Sequence, residues 1–139
     1  MSMTVCSSIR QVPAGWYLAD CAVSGGSLRA YLQSLMGASG GRLCVVLGAV
    51  YMDFPLPCPG GVGETLTLEQ LRERQRGAPC FFSPSLCAEY CTYVQGDQVH
   101  VLLYDSPDSL RAKYQTAEEC GVPMVVIEDP GIRALLREN

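Results

Sequence analysis

Apolar residues in this chain fall into short runs divided by turn signals, and the period of each run assigns an element. Residues 15–23 (GWYLADCAV) form a first apolar, strand-like run that ends at Ser24-Gly25-Gly26-Ser27. Beyond that turn Leu28, Tyr31, Leu32 and Leu35 recur at the spacing of one helical face, which predicts a helix over 28–36. Ser27 is its N-cap, and Gly37 with the Gly40-Gly41 pair ends it. The next run, 43–52 (LCVVLGAVYM), is apolar without a break. Continuity of that kind is expected of a strand buried on both faces of a parallel sheet. Strand, helix and strand in succession make a βαβ unit, whose crossover is right-handed.

Residues 53–64 are rich in Pro and Gly and read as a loop leaving that strand. A short polar helix follows, with Thr67 and Gln70 as a capping box and Leu68 and Leu71 as a narrow apolar edge. Its Arg72, Glu73, Arg74 and Arg76 form a solvated face. Segments 90–94 and 98–104 read as a hairpin turning at Gln95-Gly96-Asp97. Ser106, Pro107 and Asp108 start a helix as cap, first position and dipole partner, with Leu110, Tyr114 and Ala117 buried and Gly121 as the stop. Residues 122–127 (VPMVVI) are a further buried strand, and Asp129 with Pro130 opens the last helix. The fold class is therefore α/β: about three parallel strands with flanking helices, like βα units of a partial TIM barrel, plus an inserted antiparallel hairpin. The chain reads as one domain, 1–139, with an irregular arm at 1–14 and an insertion-like segment at 53–104.

Composition narrows the function classes. With 139 residues, 48% of them hydrophobic and 17% charged, the chain can bury a core, and disorder is excluded. The net charge is −4 and the only lysine is Lys113. No cationic cluster exists for a nucleic-acid backbone. No apolar run approaches the roughly 20 residues that span a bilayer, so no membrane partner is expected. The first residues, Met1-Ser2-Met3-Thr4, lack a basic region followed by an apolar stretch, which reads as no secretion signal and a cytoplasmic location. Eight cysteines stand at 6, 21, 44, 58, 80, 87, 91 and 120, with no C-x-x-C pair and a single histidine, His100. That spacing does not suit zinc, so neither metal nor cofactor is expected. Free thiols in a reducing compartment are the first reading, and a disulfide between loop cysteines Cys58 and Cys80 is the alternative.

The stretch 99–129 (VHVLLYDSPDSLRAKYQTAEECGVPMVVIED) resembles the closing part of a family 18 glycoside hydrolase barrel, the family of chitinases and spore-cortex peptidoglycan hydrolases. The corresponding pieces are Tyr104-Asp105 at a strand end, Ser109-Leu110-Arg111-Ala112-Lys113 at a helix start, and a final strand led by Gly121. Upstream, 42–51 (RLCVVLGAVY) is similar to the family's Lys-x-x-Leu-Gly-x-x-x-Tyr strand, and 16–20 stands where the family has a strand ending in Tyr-Asp. The departures carry as much meaning. The family's D-x-x-D-x-D-x-E strand end, whose Glu is the general acid, has no counterpart here, and no acidic residue precedes Asp20. Ile127 stands where the family has a Trp that floors the sugar site. A complete (β/α)₈ barrel needs about 250 residues, so the chain supplies only the last units.

Candidate site residues follow from strand ends. Asp20, Tyr51, Asp53, Glu128 and Asp129 fall at or just past the carboxyl ends of predicted parallel strands, the edge where α/β folds bind ligands. The resemblance implies sugar contact at Asp20 and Tyr51. Against that, Asp129 is also a good helix cap and Tyr51 a good core residue. Glu128 and Asp20 are the only pair on which an active hydrolase could draw. Trp16, Tyr90 and Tyr93 read as stacking platforms or as core. The Ser24–Ser27 turn is a weak candidate cradle for an anion or nucleotide, because it lacks the lysine and the glycine pattern of phosphate loops. His100 reads as structural.

The leading reading is a non-catalytic, barrel-derived domain acting in glycan binding or protein assembly. Self-association as a dimer is also expected, because three strands apolar on both faces leave one face without helices. The alternative is that the hairpin folds over that face.

Overall fold

A computed structural model describes residues 3–137. It contains two sheets. The parallel sheet has the order β1 (Thr4–Cys6), β9 (Met124–Val126), β3 (Leu43–Val46), β2 (Tyr17–Asp20). The antiparallel sheet has the order β5 (Glu64–Thr65), β4 (Tyr51–Leu56), β8 (Gln98–Tyr104), β7 (Ala88–Gln95), β6 (Cys80–Ser83). The helices are α1 (Leu28–Ala38), α2 (Leu68–Gln75), α3 (Pro107–Glu119) and α4 (Pro130–Arg137), with a 3₁₀ turn at Ile9–Gln11. Among the described residues no barrel closes.

The helix boundaries follow the caps legible in the sequence. The Ser27 hydroxyl accepts from Ala30 N–H, and both Thr67 and Ser106 form reciprocal capping boxes, with Gln70 and Ser109 respectively. α1, α3 and α4 cover one face of the parallel sheet. Leu28 and Leu32 are fully buried there with Leu43, Val45, Val125 and Ile127, each worth about 1.5–3 kcal/mol of burial.

The other face is closed in a way that the sequence reading did not foresee. Segment 1–14, expected to be irregular, contributes β1, so the parallel sheet has four strands rather than three. β1 and β2 lie at opposite edges, and the chain between them must cross the whole sheet. From β2 through β3 to β9 the strands advance one way with their helices on one face. The step from β1 to β2 runs the other way, so a right-handed connection must pass over the opposite face. It does: Val12 and Trp16 pack on Cys6, Cys44, Val126, Val46 and Met124. This arm, not the hairpin, covers the face left without helices.

The apolar run 43–52 is not one strand. β3 stops at Val46, Leu47 N–H still reaches Val126, and residues 48–50 carry the chain into β4 of the second sheet. Two cores, one on each side of the break, keep the run apolar throughout. The predicted loop at 53–64 and hairpin at 90–104 are accordingly parts of a five-stranded sheet that begins at Tyr51. Pro55 is tolerated within β4 because β5 runs only beside Met52 and Asp53.

Cross-strand register sorts the antiparallel sheet into two faces. Tyr51, Asp53, Cys91, Leu102, Tyr104 and Cys80 point towards α2, where Leu66, Leu71, Cys91 and Leu102 form a small core. Met52, Phe54, Leu56, Val101, Leu103 and Tyr90 point the opposite way.

Candidate functional site

That second face forms one wall of a groove. The other wall is the loop beyond β2, at a carboxyl edge of the parallel sheet. Two adjoining cavities of about 390 and 430 Å³ share Ser24, Phe54, Gly61 and Leu103. Such volumes suit a small ligand; the second cavity is mainly apolar, whereas the first also carries the charged side chains of Asp20, Asp105 and Lys113. Asp20 stands at one end of the groove and Tyr90 at the other. Phe54 is fixed by a close approach: a Cβ at Gly63 would lie 2.7 Å from its ring and 2.8 Å from the Asp53 carbonyl. Only glycine leaves room there for the chain to run over the ring.

The first cavity is lined in part by a buried ion pair. Lys113 Nζ lies 2.8 Å from Asp105 Oδ1, with the two side chains 4% and 1% exposed. Asp105 also accepts from Ser109 Oγ at 2.7 Å and from Val50 N–H at 3.0 Å. The pair thus holds the start of α3 to the segment that joins the two sheets. Burial pushes the nearby Cys21 thiol up to about 12, only partly opposed by Lys113.

The sequence candidates separate. Asp20 lines the groove, is exposed, and accepts from Ala22 N–H at 3.2 Å. Tyr51 and Asp53 do not stand at the end of a parallel strand. Both belong to β4, and strand alternation turns them away from the groove towards α2. Asp53 is 2% exposed and central to a polar cluster. Arg74 Nη1 reaches it at 2.6 Å, His100 Nδ1 lies at 2.7 Å, and the Tyr93 hydroxyl donates to it. Arg74 also pairs with Glu64 at 2.8 Å. Burial acts to raise the Asp53 carboxyl, but Tyr93, His100 and Arg74 outweigh it and hold the group below its ordinary range. Burial and the bond to Asp53 push Tyr93 up to about 12.

Glu128 is exposed and does not line the groove. Asp129 caps α4, accepting from Gly131 N–H at 2.7 Å and Ile132 N–H at 3.3 Å. Trp16 packs on the inner face of the parallel sheet, and Tyr93 stacks on His100 at 4.8 Å. At the Ser24–Ser27 turn the free N–H groups of α1 are largely taken: Ser27 Oγ accepts from Ala30, and Leu28 N–H donates to the Ser85 carbonyl at 2.8 Å. Cys58 lines the groove while Cys80 lies on the α2 face, so these two are not paired. Among the described residues no cluster of His, Cys, Asp and Glu could hold a metal ion, and no helix is long and apolar enough to cross a membrane.

The sequence reading missed Met52, Phe54 and the buried role of Lys113. Alternation of Met52, Phe54 and Leu56 with Asp53 and Pro55 was the available signal for the first two.

No protein-family model matches the sequence, and no curated protein does. Solved structures do match the fold. The spore cortex-lytic enzyme SleL of Bacillus cereus superposes with a TM-score of 0.61 at 13% identity, covering 100% of this chain and 35% of that one. SleL of Bacillus megaterium QM B1551 gives 0.60 at 12% identity, covering 91% and 34%. A chitinase from Chromobacterium violaceum ATCC 12472 gives 0.59 at 15% identity, covering 99% and 44%. The chain therefore spans less than half the length of these structures. Its fold is that of part of such glycosidases, in line with the resemblance carried by residues 99–129.

Proposed function

We propose that this chain is a non-catalytic glycan-binding domain, taking N-acetylglucosamine-containing oligosaccharides in the groove between its two sheets. The observation that carries this reading is the groove's lining. Phe54 and Tyr90 contribute aromatic surface, Met52 and Leu103 apolar surface, and Asp20 and Ser24 hydrogen-bonding groups. Aromatic faces with a few polar groups suit sugars, which present apolar C–H faces and a ring of hydroxyls. The choice of polymer class is supported by the names of the similar structures, cortex-lytic enzymes and a chitinase. Against catalysis stands the absence from this sequence of the D-x-x-D-x-D-x-E strand end. Asp20 is the only groove carboxylate among the original candidates, since Glu128 lies outside the groove.

Titration with chitin oligosaccharides and cortex peptidoglycan fragments tests the reading. Binding is expected to weaken at least tenfold, about 1.4 kcal/mol, in Phe54→Ala and Tyr90→Ala. No release of reducing ends is expected. Turnover abolished by Asp20→Asn or Glu128→Gln would establish a hydrolase instead, and ligand binding unaffected by both aromatic changes would remove the groove from consideration.

We further propose self-association, through the outer edge of β2 rather than through the covered inner face. Tyr17 and Leu18 are 50% and 48% exposed on that edge strand, which among the described residues pairs only with β3. Unpaired edges carrying apolar side chains invite a second strand. Light scattering at micromolar concentration is expected to give a dimer that Leu18→Glu converts to monomer. A monomeric wild-type protein removes this reading.

A further inference from the structure

Cys80 and Cys91 are direct cross-strand partners on β6 and β7, with both side chains on the α2 face. Cα atoms of opposed residues in antiparallel strands lie about 4.5–5.5 Å apart, inside the range that a disulfide spans. The two residues differ in access. Cys80 is exposed on the edge strand, whereas Cys91 is 1% exposed in the core under α2. Cys80 also has hydrogen-bond partners, its thiol reaching the Ala78 carbonyl at 3.5 Å. Gln75 Nε2 donates to its Sγ at 2.8 Å, and the same amide reaches the Tyr104 hydroxyl at 2.9 Å. The Gln75 amide on α2 thus bridges the Cys80 sulfur on β6 and the Tyr104 hydroxyl on β8.

We propose that Cys80 and Cys91 form a thiol–disulfide exchange site, with Cys80 as the attacking thiol and Cys91 as the resolving one. The oxidant is a low-molecular-weight disulfide such as oxidised glutathione. Cys80 thiolate attacks one of its sulfurs, the external S–S bond breaks, and a glutathione thiolate leaves and takes up a proton. Cys91 then attacks Cys80 Sγ, the bond from Cys80 to the second glutathione breaks, and the Cys91 proton passes to the departing glutathione thiolate. Two electrons pass from the cysteine pair to the oxidant, which is recovered as two thiols.

The electrostatics agree with the assigned order. Burial acts to raise the Cys80 thiol, but hydrogen bonds from Tyr104, Gln75 and Cys91 outweigh it and bring the group below its usual value. Burial and the Cys80 charge push Cys91 up to about 12. The second contribution vanishes once Cys80 is in a mixed disulfide, which lowers the cost of ionising Cys91 although burial still opposes it. The product would tie edge strand β6 to β7, whose Phe81 and Tyr90 rings meet at 5.7 Å on the opposite face.

The test treats the intact chain with oxidised glutathione, traps free thiols, and digests it with chymotrypsin. Cuts at Phe81, Phe82 and Tyr90 separate Cys80, Cys87 and Cys91. A Cys80–Cys91 linkage is expected as the main product in wild type. Cys91→Ser is expected instead to accumulate a stable glutathione adduct on Cys80, at least tenfold above the wild-type level, and Cys91→Ala guards against a folding defect of the serine. Cys80→Ser is expected to lose both products. A wild-type chain whose Cys80 takes up glutathione without linking to Cys91, or one whose main linkage joins other cysteines, overturns the proposal.

Discussion

Replacing Lys113 with alanine is expected to cost about 3–5 kcal/mol of stability, the range for stranding one member of a buried ion pair. Asp105 is 1% exposed on its side chain, and among the described residues Lys113 is the one cation that reaches it. Ser109 and the Val50 N–H would still donate to the carboxylate, but neither neutralises it. The loss comes from an uncompensated charge, so it is expected to shrink when the charge is removed as well. Asp105→Leu with Lys113→Met is therefore expected to lose far less than the sum of the two single changes. Urea unfolding of the four proteins measures the cycle. Additive losses would show that the pair is not coupled and that Lys113 matters only as packing. The same changes bear on the groove, because Asp105 and Lys113 line its first cavity. A double variant that stays folded separates stability from ligand binding.

The sequence made this fold legible where one element answers to one signal. The caps at Ser27, Thr67, Ser106 and Asp129 each have a single local physical reason, and each forms as read. Long-range pairing was not legible. Nothing local to Thr4–Cys6 says that it will pair with Met124–Val126, and its three residues are too few to show a period. The crossing of Val12 and Trp16 over the inner face follows from handedness, but only once the strand order is known. The run 43–52 misled for a related reason. An apolar run reports burial, not the core in which a residue is buried, and here Leu43 and Tyr51 serve different ones. Asp20, a carboxylate after an apolar run that needs water or a partner, is exposed and lines the groove. Asp53 was singled out for the wrong reason. Its place in an interior strand makes it a structural hub, and its partners stand 21, 40 and 47 positions away in sequence.

That hub is expected to shape the acid limb of the protein's stability. Asp53→Ala is expected to cost about 3 kcal/mol, because it leaves Tyr93 and His100 without the acceptor that orders them and Arg74 with Glu64 alone. Asp53→Asn keeps the shape but not the charge, so it is expected to lose less. The pH dependence distinguishes the charge from the shape. The Asp53 carboxyl titrates lower in the folded chain than in the unfolded one, where it has its ordinary value of about 3.9. Folding therefore releases a proton in this window, and the stability that Asp53 contributes is fully present above about pH 4. It is lost as the pH falls through the folded value. Tyr93 imposes the opposite limb. Its hydroxyl is held up to about 12 against an ordinary value near 10, so its contribution is present below pH 10 and lost as the pH rises towards 12. Unfolding followed from pH 2 to pH 12 is expected to show both limbs in wild type. The acid limb is expected to flatten in Asp53→Asn, and the alkaline limb in Tyr93→Phe. An acid limb that survives Asp53→Asn unchanged would assign it to another carboxylate and remove Asp53 from the centre of the cluster.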